Sequence, residues 1–314
     1  MSFAFVFPGQ GSQSVGMLAP LAASEPLVQQ TFAEASDVLG YDLWKLCQGG
    51  PEEELGRTER TQPALLAAGV ATWRVWRKHG GGIPAAMAGH SLGEYSALVC
   101  SGALDFRTAV ALVQFRGQAM QAAVPAGQGA MAAILGLDDA DVEAACREAA
   151  QGEVVQGANF NSPGQVVIAG AAAAVDRAIE IAKAKGGKVR KLAVSVPSHS
   201  PLMKPAAEQL ASRLQQVKFG PREVRDIYTV DVRKHGDEAS IRKALVEQLV
   251  KPVRWTETIQ AMLAAGVRVI VECGPKGVLT SLNRRIERNK DIAMLSIEDA
   301  ESLQQALQAC RSNA

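Results

Sequence analysis

The feature that constrains the fold most is a repeated order of local patterns. Short apolar runs end in turns that contain Gly or Pro, and helical patterns follow these turns. Phe3–Phe7 is such a run and is followed directly by a Pro-Gly pair; Val267–Glu272 is another, followed by a turn over 273–277. Apolar residues recur at helical spacing in three stretches between them, 24–39, 61–78 and 91–101. Asp105 is a candidate N-cap for a further helix that runs to about residue 121. Strands that alternate with helices predict an α/β fold built on a parallel sheet.

The middle of the chain shows a different order of elements. The patterns predict, in chain order, a strand over 130–137, a helix over 138–150, a hairpin of 154–160 with 165–169, a helix over 171–185 and a strand over 189–196. This β-α-β-β-α-β order is the ferredoxin-like unit. We therefore expect a ferredoxin-like subdomain at 128–196, inserted in a larger catalytic domain formed by 1–127 and 197–314.

The composition excludes several classes of protein. With 47% hydrophobic residues, 21% charged residues and a net charge of +1, the 314 residues are typical of a globular chain. Five widely spaced cysteines with no CxxC pair argue against a disulfide framework or a zinc site and favour a reducing compartment. Gly, Pro, Gln or Asn interrupt each long uncharged stretch, so we predict neither a signal peptide nor a spanning helix. We expect a cytoplasmic protein with no metal and no nucleic-acid or membrane partner.

A GxSxG pentapeptide, Gly89–Gly93, lies between a short apolar approach and a helical segment. This strand–turn–helix context favours a nucleophile elbow, with Ser91 at a helix N-terminus where backbone N–H groups stabilise an oxyanion. Leu92, the next residue, would donate one of those N–H groups. An ordinary N-cap serine is the alternative.

A serine nucleophile needs a base, and the chain has four histidines. A helix C-terminus explains His79, and a solvated turn explains His235. His90 precedes Ser91, so we expect its side chain on the opposite face. Elimination favours His199, in the loop after the last subdomain strand, with a structural histidine as the alternative. No carboxylate stands out by spacing as a third member, so a backbone or amide acceptor is allowed for.

The loop over residues 8–13 follows the first strand directly and contains two glycines. A dinucleotide or P-loop site would need a third glycine or a following GK[ST], and both are missing. We therefore expect this loop to donate the second oxyanion N–H.

Arg116 lies on an apolar helix face, at helical spacing from Ala109, Leu112, Val113 and Met120. A guanidinium on such a face needs an anionic partner, because burying it unpaired is costly. That partner is either an internal Asp or Glu or the carboxylate of a substrate, held in a bidentate clamp.

Six segments along the chain carry a family resemblance: 7–13, 61–65, 89–97, 159–165, 196–199 and 248–255. In sequence and in order they resemble the malonyl-CoA:acyl carrier protein transacylase family of bacterial fatty acid synthesis. The resemblance implies an α/β-hydrolase-like core with a parallel sheet, plus the inserted ferredoxin-like subdomain. It also implies ping-pong transfer of malonyl from malonyl-CoA to the phosphopantetheine thiol of acyl carrier protein, with no permanently bound cofactor, by a monomer.

The resemblance assigns roles to individual positions. Ser91 is the acylated nucleophile, His199 its partner, and the backbone carbonyl of Gln248 orients that histidine. The remaining assigned positions are the oxyanion donors Gln10 and Leu92, the malonyl clamp Arg116, and the substrate-contacting His90, Asn159 and Asn161. Hairpin capping is as good an explanation for either asparagine. The chain departs from the family pattern at Thr229, where asparagine is usual, and at Lys276-Gly277, which reverses the usual order.

Other functions stay open at this point. One is the malonyl-loading transacylase of a malonate decarboxylase, and another is a serine thioesterase or hydrolase that shares the elbow. A third is a non-catalytic subunit that binds the carrier protein.

The near-neutral charge hides a strong asymmetry. Residues 181–290 hold 22 Lys and Arg against 10 Asp and Glu, a charge of +12, whereas the remainder carries −11. This segment predicts a basic docking side for CoA phosphates and an acidic carrier protein, with a solvated basic surface as the alternative.

Overall fold

The computed structural model describes residues 2–194, 196–224 and 226–311. The strands in chain order are β1 (Ser2–Phe7), β2 (Ala86–Gly89), β3 (Gly129–Leu135), β4 (Val155–Ser162), β5 (Gln165–Ala171), β6 (Lys188–Lys191), β7 (Asp226–Tyr228), β8 (Val267–Cys273) and β9 (Ala293–Ile297). The helices of the N-terminal part are α1 (Ala19–Ser24), α2 (Pro26–Leu39), α3 (Leu43–Gly49), α4 (Glu52–Gly56), α5 (Thr58–Lys78), α6 (Gly93–Cys100) and α7 (Phe106–Ala123). Those that follow are α8 (Asp139–Ala150), α9 (Ala172–Ala184), α10 (Lys204–Leu214), α11 (Glu238–Gln248), α12 (Trp255–Ala264), α13 (Val278–Ile286) and α14 (Ala300–Arg311).

The larger sheet is parallel and has the strand order β7-β2-β1-β8-β9. Its central strand β1 is apolar on both faces, as expected for a strand covered by helices on both sides. Phe5 packs edge-on against Trp73 and Trp76 of α5, with ring centroids 5.3 and 5.0 Å apart. The α/β prediction is confirmed, and β1 and β2 both end at the edge where Ser91 lies.

The smaller sheet is antiparallel, with the order β4-β5-β3-β6, and α8 and α9 pack together against it. This arrangement confirms the predicted β-α-β-β-α-β unit. The parallel backbone pairing of Asn159 in β4 with Val253 joins this sheet to the larger part of the molecule. The domain boundaries at 128 and 196 stay a prediction.

Two details of the predicted small sheet are wrong. The hairpin turn is shorter than expected, because β4 continues to Ser162 and only Pro163 and Gly164 form the turn, with Gly164 at φ +73°. The last strand is predicted over 189–196, of which residue 195 lies outside the described residues, but β6 ends at Lys191. After one further backbone bond the chain leaves the sheet edge, because it must carry His199 across to Ser91. Among the described residues, no helix combines the length and apolarity that a bilayer crossing requires.

Candidate active site

Ser91 lies in a tight turn between β2 and α6, at φ +52°. A non-glycine residue rarely adopts this left-handed conformation, and such strain is concentrated at functional positions. The flanking glycines are required by contact: a Cβ on Gly89 would lie 1.8 Å from the carbonyl carbon of Gly93, and one on Gly93 would lie 2.0 Å from the carbonyl oxygen of Phe7. The predicted strand–turn–helix elbow is therefore present.

His199 is hydrogen-bonded to Ser91, with 2.8 Å between Nε2 and Oγ. Its Nδ1 lies 2.7 Å from the backbone carbonyl oxygen of Gln248, which can only accept. Nδ1 therefore carries the proton, and the lone pair of Nε2 faces the serine hydroxyl. Burial, and then the positive charge of Arg116, lower the pKa of His199 to about 3, so the imidazole is neutral at physiological pH. A backbone carbonyl thus occupies the position that an acid holds in a Ser-His-Asp triad.

The side chain of Gln248 also belongs to the site. Its Nε2 donates to Glu94 Oε2 at 2.6 Å and to the Ser91 carbonyl oxygen at 3.0 Å. Its Oε1 accepts from Arg116 Nη2 at 2.8 Å. One residue therefore contacts the base, the nucleophile's backbone and the buried cation.

Arg116 is 1% exposed and points its guanidinium at the nucleophile. Nη1 donates to Gln62 Oε1 at 2.9 Å, and Nη2 lies 3.4 Å from Ser91 Oγ. Its direct hydrogen-bond partners among the described residues are oxygens of uncharged side chains, and the internal Glu94 interacts with it electrostatically without direct contact. The predicted role of a clamp for a substrate carboxylate stays a prediction.

The expected oxyanion donors lie on two adjacent loops. The elbow is fixed to the end of β1 by a 2.9 Å bond from His90 N to the Phe7 carbonyl oxygen. A Cβ on Gly9 would lie 2.4 Å from the His90 carbonyl oxygen, so the loop over 8–13 is in close contact with the elbow. Within the described part of the chain, the N–H groups of Gln10 and Leu92 donate to no other residue. Gln10 is exposed and Leu92 is buried.

His90 turns away from the serine, as expected, and contacts the small sheet. Its Nε2 lies 2.8 Å from Asn161 Oδ1, and its ring lies 5.6 Å from that of Trp255, centroid to centroid. Burial lowers the pKa of His90, so it is a neutral link between elbow and subdomain. Asn159 lies on the same strand as Asn161, and both are 8% exposed. The structure thus places these three residues beside the site rather than at Ser91 Oγ.

The other two histidines have structural partners. His79 lies 2.6 Å from Glu25. His235 lies 3.1 Å from Asp231 with 19% of its side chain exposed, in a turn whose other residues over 233–237 are exposed, as expected. Thr229 donates to the same Asp231 and lines the small cavity that Ser91 also lines.

Sequence reasoning missed two buried residues, Gln62 and Glu94, each 1% exposed. Burial raises the pKa of Glu94 to about 8, against the opposing effects of the Gln248 hydrogen bond and the Arg116 charge. Glu94 is the one charged residue of α6, directly after the elbow, and that isolated ionisable residue was the available signal. Among the described residues, no group of three or more His, Cys, Asp or Glu is arranged to hold a metal ion.

A strained serine, a neutral histidine oriented by a carbonyl and a buried arginine, all on an α/β-hydrolase-like core, define a serine-dependent acyltransferase. The profile of the acyl transferase domain family matches residues 4–304. The malonyl CoA-acyl carrier protein transacylase of Escherichia coli K12 is 60% identical over 285 residues, which are 90% of this chain and 92% of that protein. The enzyme of the same name from Bacillus subtilis 168 is 43% identical over 98% of this chain and 97% of its own.

Solved structures agree with this assignment. The malonyl CoA-acyl carrier protein transacylase from Coxiella burnetii superimposes with a TM-score of 0.96 at 52% identity, covering 98% of this chain and 97% of that one. A malonyl-transacylase in complex with a type II polyketide synthase acyl carrier protein superimposes with a TM-score of 0.95 at 56% identity, covering 98% and 100%. The chain belongs to the malonyl CoA-acyl carrier protein transacylase family.

Proposed function

We propose that this enzyme transfers the malonyl group from malonyl-CoA to the phosphopantetheine thiol of acyl carrier protein, in type II fatty acid synthesis, through malonyl-Ser91. The observation that carries the proposal is the convergence at one oxygen. Ser91 Oγ lies 2.8 Å from the His199 base and 3.4 Å from Arg116 Nη2. A malonyl thioester has a carbonyl carbon for the nucleophile and, at its other end, a carboxylate for the cation. The short distance between Ser91 and Arg116 therefore suits this substrate.

In the first half-reaction, His199 Nε2 takes the proton from Ser91 Oγ as the oxygen attacks the thioester carbon. The backbone N–H groups of Gln10 and Leu92 stabilise the oxyanion of the tetrahedral intermediate. Collapse breaks the C–S bond, and the proton on His199 passes to the departing CoA thiolate. Gln248 keeps the histidine in the required tautomer throughout.

In the second half-reaction, the phosphopantetheine thiol gives its proton to His199 Nε2 and attacks the malonyl-serine ester. Collapse of this intermediate breaks the bond to Ser91 Oγ, which recovers the proton. Arg116 holds the malonyl carboxylate during both steps, so the acyl group is oriented while the thiols exchange. CoA and phosphopantetheine enter as parts of the substrates, and no permanently bound cofactor takes part.

Acyl carrier protein is the proposed partner, and the basic segment 181–290 is its proposed docking side. Several of its lysines and arginines are paired locally, for example Lys191 with Asp176 and Arg242 with Glu238. Others, such as Lys188 on the edge strand β6, are exposed. Steering by such charges weakens with salt. We therefore expect the KM for carrier protein to rise several-fold between 50 and 300 mM NaCl, and a constant KM would contradict this docking side.

The central test is intact-mass analysis after incubation with malonyl-CoA alone. One malonyl adduct is expected on the wild-type chain and none on Ser91→Ala, and an adduct that persists on the variant contradicts the mechanism. Arg116→Ala should lose its preference for malonyl-CoA over acetyl-CoA, because a charge-assisted pair contributes about 1.5–3 kcal/mol. Faster release of free malonate than transfer to the carrier would instead indicate a thioesterase. A cytoplasmic location and a monomeric state stay predictions.

A further inference from the structure

A buried carboxylate, Glu94, lies inside the site and has no step in the mechanism above. It is three residues beyond Ser91 and 1% exposed. Its Oε1 is buried without a hydrogen-bond partner among the described residues, and so is Arg116 Nε. Buried polar atoms are nearly always paired, and each exception calls for an explanation. Among the described residues, Glu94 and Arg116 make no direct ion pair and are bridged by the Gln248 amide.

The Gln248 amide between them has its orientation fixed at every atom. One hydrogen of Nε2 goes to Glu94 Oε2 and the other to the Ser91 carbonyl oxygen. Only Oε1 then remains to face Arg116 Nη2. Exchanging the amide's nitrogen and oxygen would put donors against donors at Arg116 and an oxygen against the carboxylate. The exchanged orientation is therefore unfavourable at three contacts, those with Arg116, the Ser91 carbonyl and Glu94, and Glu94 supplies one of them.

The placement of Glu94 also matters for the substrate. Arg116 touches two neutral amide oxygens, on Gln62 and Gln248, while the Glu94 carboxyl group lies one amide further away. A carboxylate in direct contact with Arg116 would compete with an incoming carboxylate for the same N–H groups. Because the Gln248 amide lies between them, Glu94 leaves the N–H groups of Arg116 free to bind a substrate carboxylate.

We propose that Glu94 is a positioning residue for malonyl selectivity: it fixes the Gln248 amide and, through it, holds the Arg116 guanidinium toward the acyl group on Ser91. The inference rests on the proposed role of Arg116. It assigns to Glu94 no contact with the reacting atoms.

The experiment measures kcat and KM of Glu94→Gln with malonyl-CoA and acetyl-CoA at pH 9, using the full chain and purified acyl carrier protein. At pH 9, above the Glu94 pKa of about 8, both carboxylate oxygens of the wild type can only accept, whereas the glutamine can present oxygen or nitrogen to Gln248. One of the three contacts that orient the Gln248 amide is therefore weakened. We expect kcat/KM for malonyl-CoA to fall about tenfold, chiefly through KM, with acetyl-CoA changed less than about twofold. Glu94→Asp keeps the charge on a shorter stem and is expected to lose less selectivity than Glu94→Gln.

The matched control is Glu272→Gln, which alters another fully buried carboxylate. Glu272 accepts from the backbone N–H groups of Leu279 and Thr280 at the start of α13, outside the site. The Glu272→Gln variant should have a lower melting temperature than the wild type and an unchanged malonyl-to-acetyl ratio of kcat/KM. This control separates loss of selectivity from loss of stability.

A double variant tests whether Glu94 acts through the arginine. In an Arg116→Ala background, Glu94→Gln should produce no further change in the ratio, because coupled residues are non-additive. If Arg116→Ala itself leaves the ratio unchanged, the proposed function fails. If Arg116→Ala lowers the malonyl-to-acetyl ratio, two results for Glu94→Gln overturn the positioning role. One is an equal fall of kcat/KM for malonyl-CoA and acetyl-CoA, and the other is no change in either value.

Discussion

The depressed pKa of His199 makes the acid side of the pH–rate profile a sharp test of the site. The perturbation is a change from pH 7 to pH 5 during acylation of Ser91 by malonyl-CoA without carrier protein. Only neutral His199 can take the serine proton. With a pKa of about 3, set first by burial and then by Arg116, about 99% of the imidazole is neutral at pH 5.

An ordinary histidine would behave very differently. With a pKa of about 6.5, its neutral fraction falls about 25-fold between pH 7 and pH 5. Even a pKa one unit above the value for His199 leaves about 90% in the neutral form at pH 5. We therefore expect the acylation rate, followed by rapid quench and intact mass, to change less than twofold over this range.

Folding must be measured at the same pH values. Between about pH 6.5 and pH 3 the unfolded chain binds a proton on His199 and the folded chain does not. The free energy of unfolding therefore decreases as the pH is lowered through that window, by about 2 kcal/mol at pH 5 relative to neutral pH. Glu94 and Glu272, whose pKa values burial raises to about 8 and about 7, act in the opposite direction because they bind protons in the folded state. A more than tenfold loss of acylation with an unchanged circular dichroism spectrum would refute the assignment of a buried, neutral base.

Two further predictions concern the packing that holds the site. Gly93→Ala places a Cβ 2.0 Å from the carbonyl oxygen of Phe7, so it should cost about 3 kcal/mol or more in denaturant unfolding. Gly56→Ala, with open space around its Cβ, should stay within about 1 kcal/mol of wild type, and equal effects would contradict the contact argument. Trp255→Phe leaves Asn283 Oδ1 buried without its 2.9 Å donor and should cost about 1–3 kcal/mol; a neutral result would mean that the amide finds another partner.

The local parts of the site were predictable because their signals are local. Five neighbouring residues, Gly89–Gly93, predict the elbow. They contain the two glycines that permit a tight turn, the serine between them and the start of a helix. Arg116 was singled out by an apolar helical face, and the structure confirms that it is buried. His199 was reached by eliminating three other histidines, and the 2.8 Å contact agrees with that reasoning.

The predictions that went wrong concern segments whose ends depend on distant parts of the chain. The β-like pattern of 189–196 continues past Lys191, yet the strand stops there because the loop must reach Ser91. The hairpin turn was expected over 161–164, but β4 continues to Ser162 and leaves two residues in the turn. Neither strand end has a signal in the neighbouring residues.

The sequence by itself determined the α/β class, the inserted β-α-β-β-α-β unit and the elbow, since periodicity and turn chemistry act over a few residues. Only the tertiary structure decided what surrounds Ser91. Gln62, Arg116 and Gln248 are separated by 54 and 132 residues, and no spacing rule brings two amide oxygens to one guanidinium. Burial then shifts the pKa of each ionisable group there, because the dry interior is made by helices and strands from the whole chain.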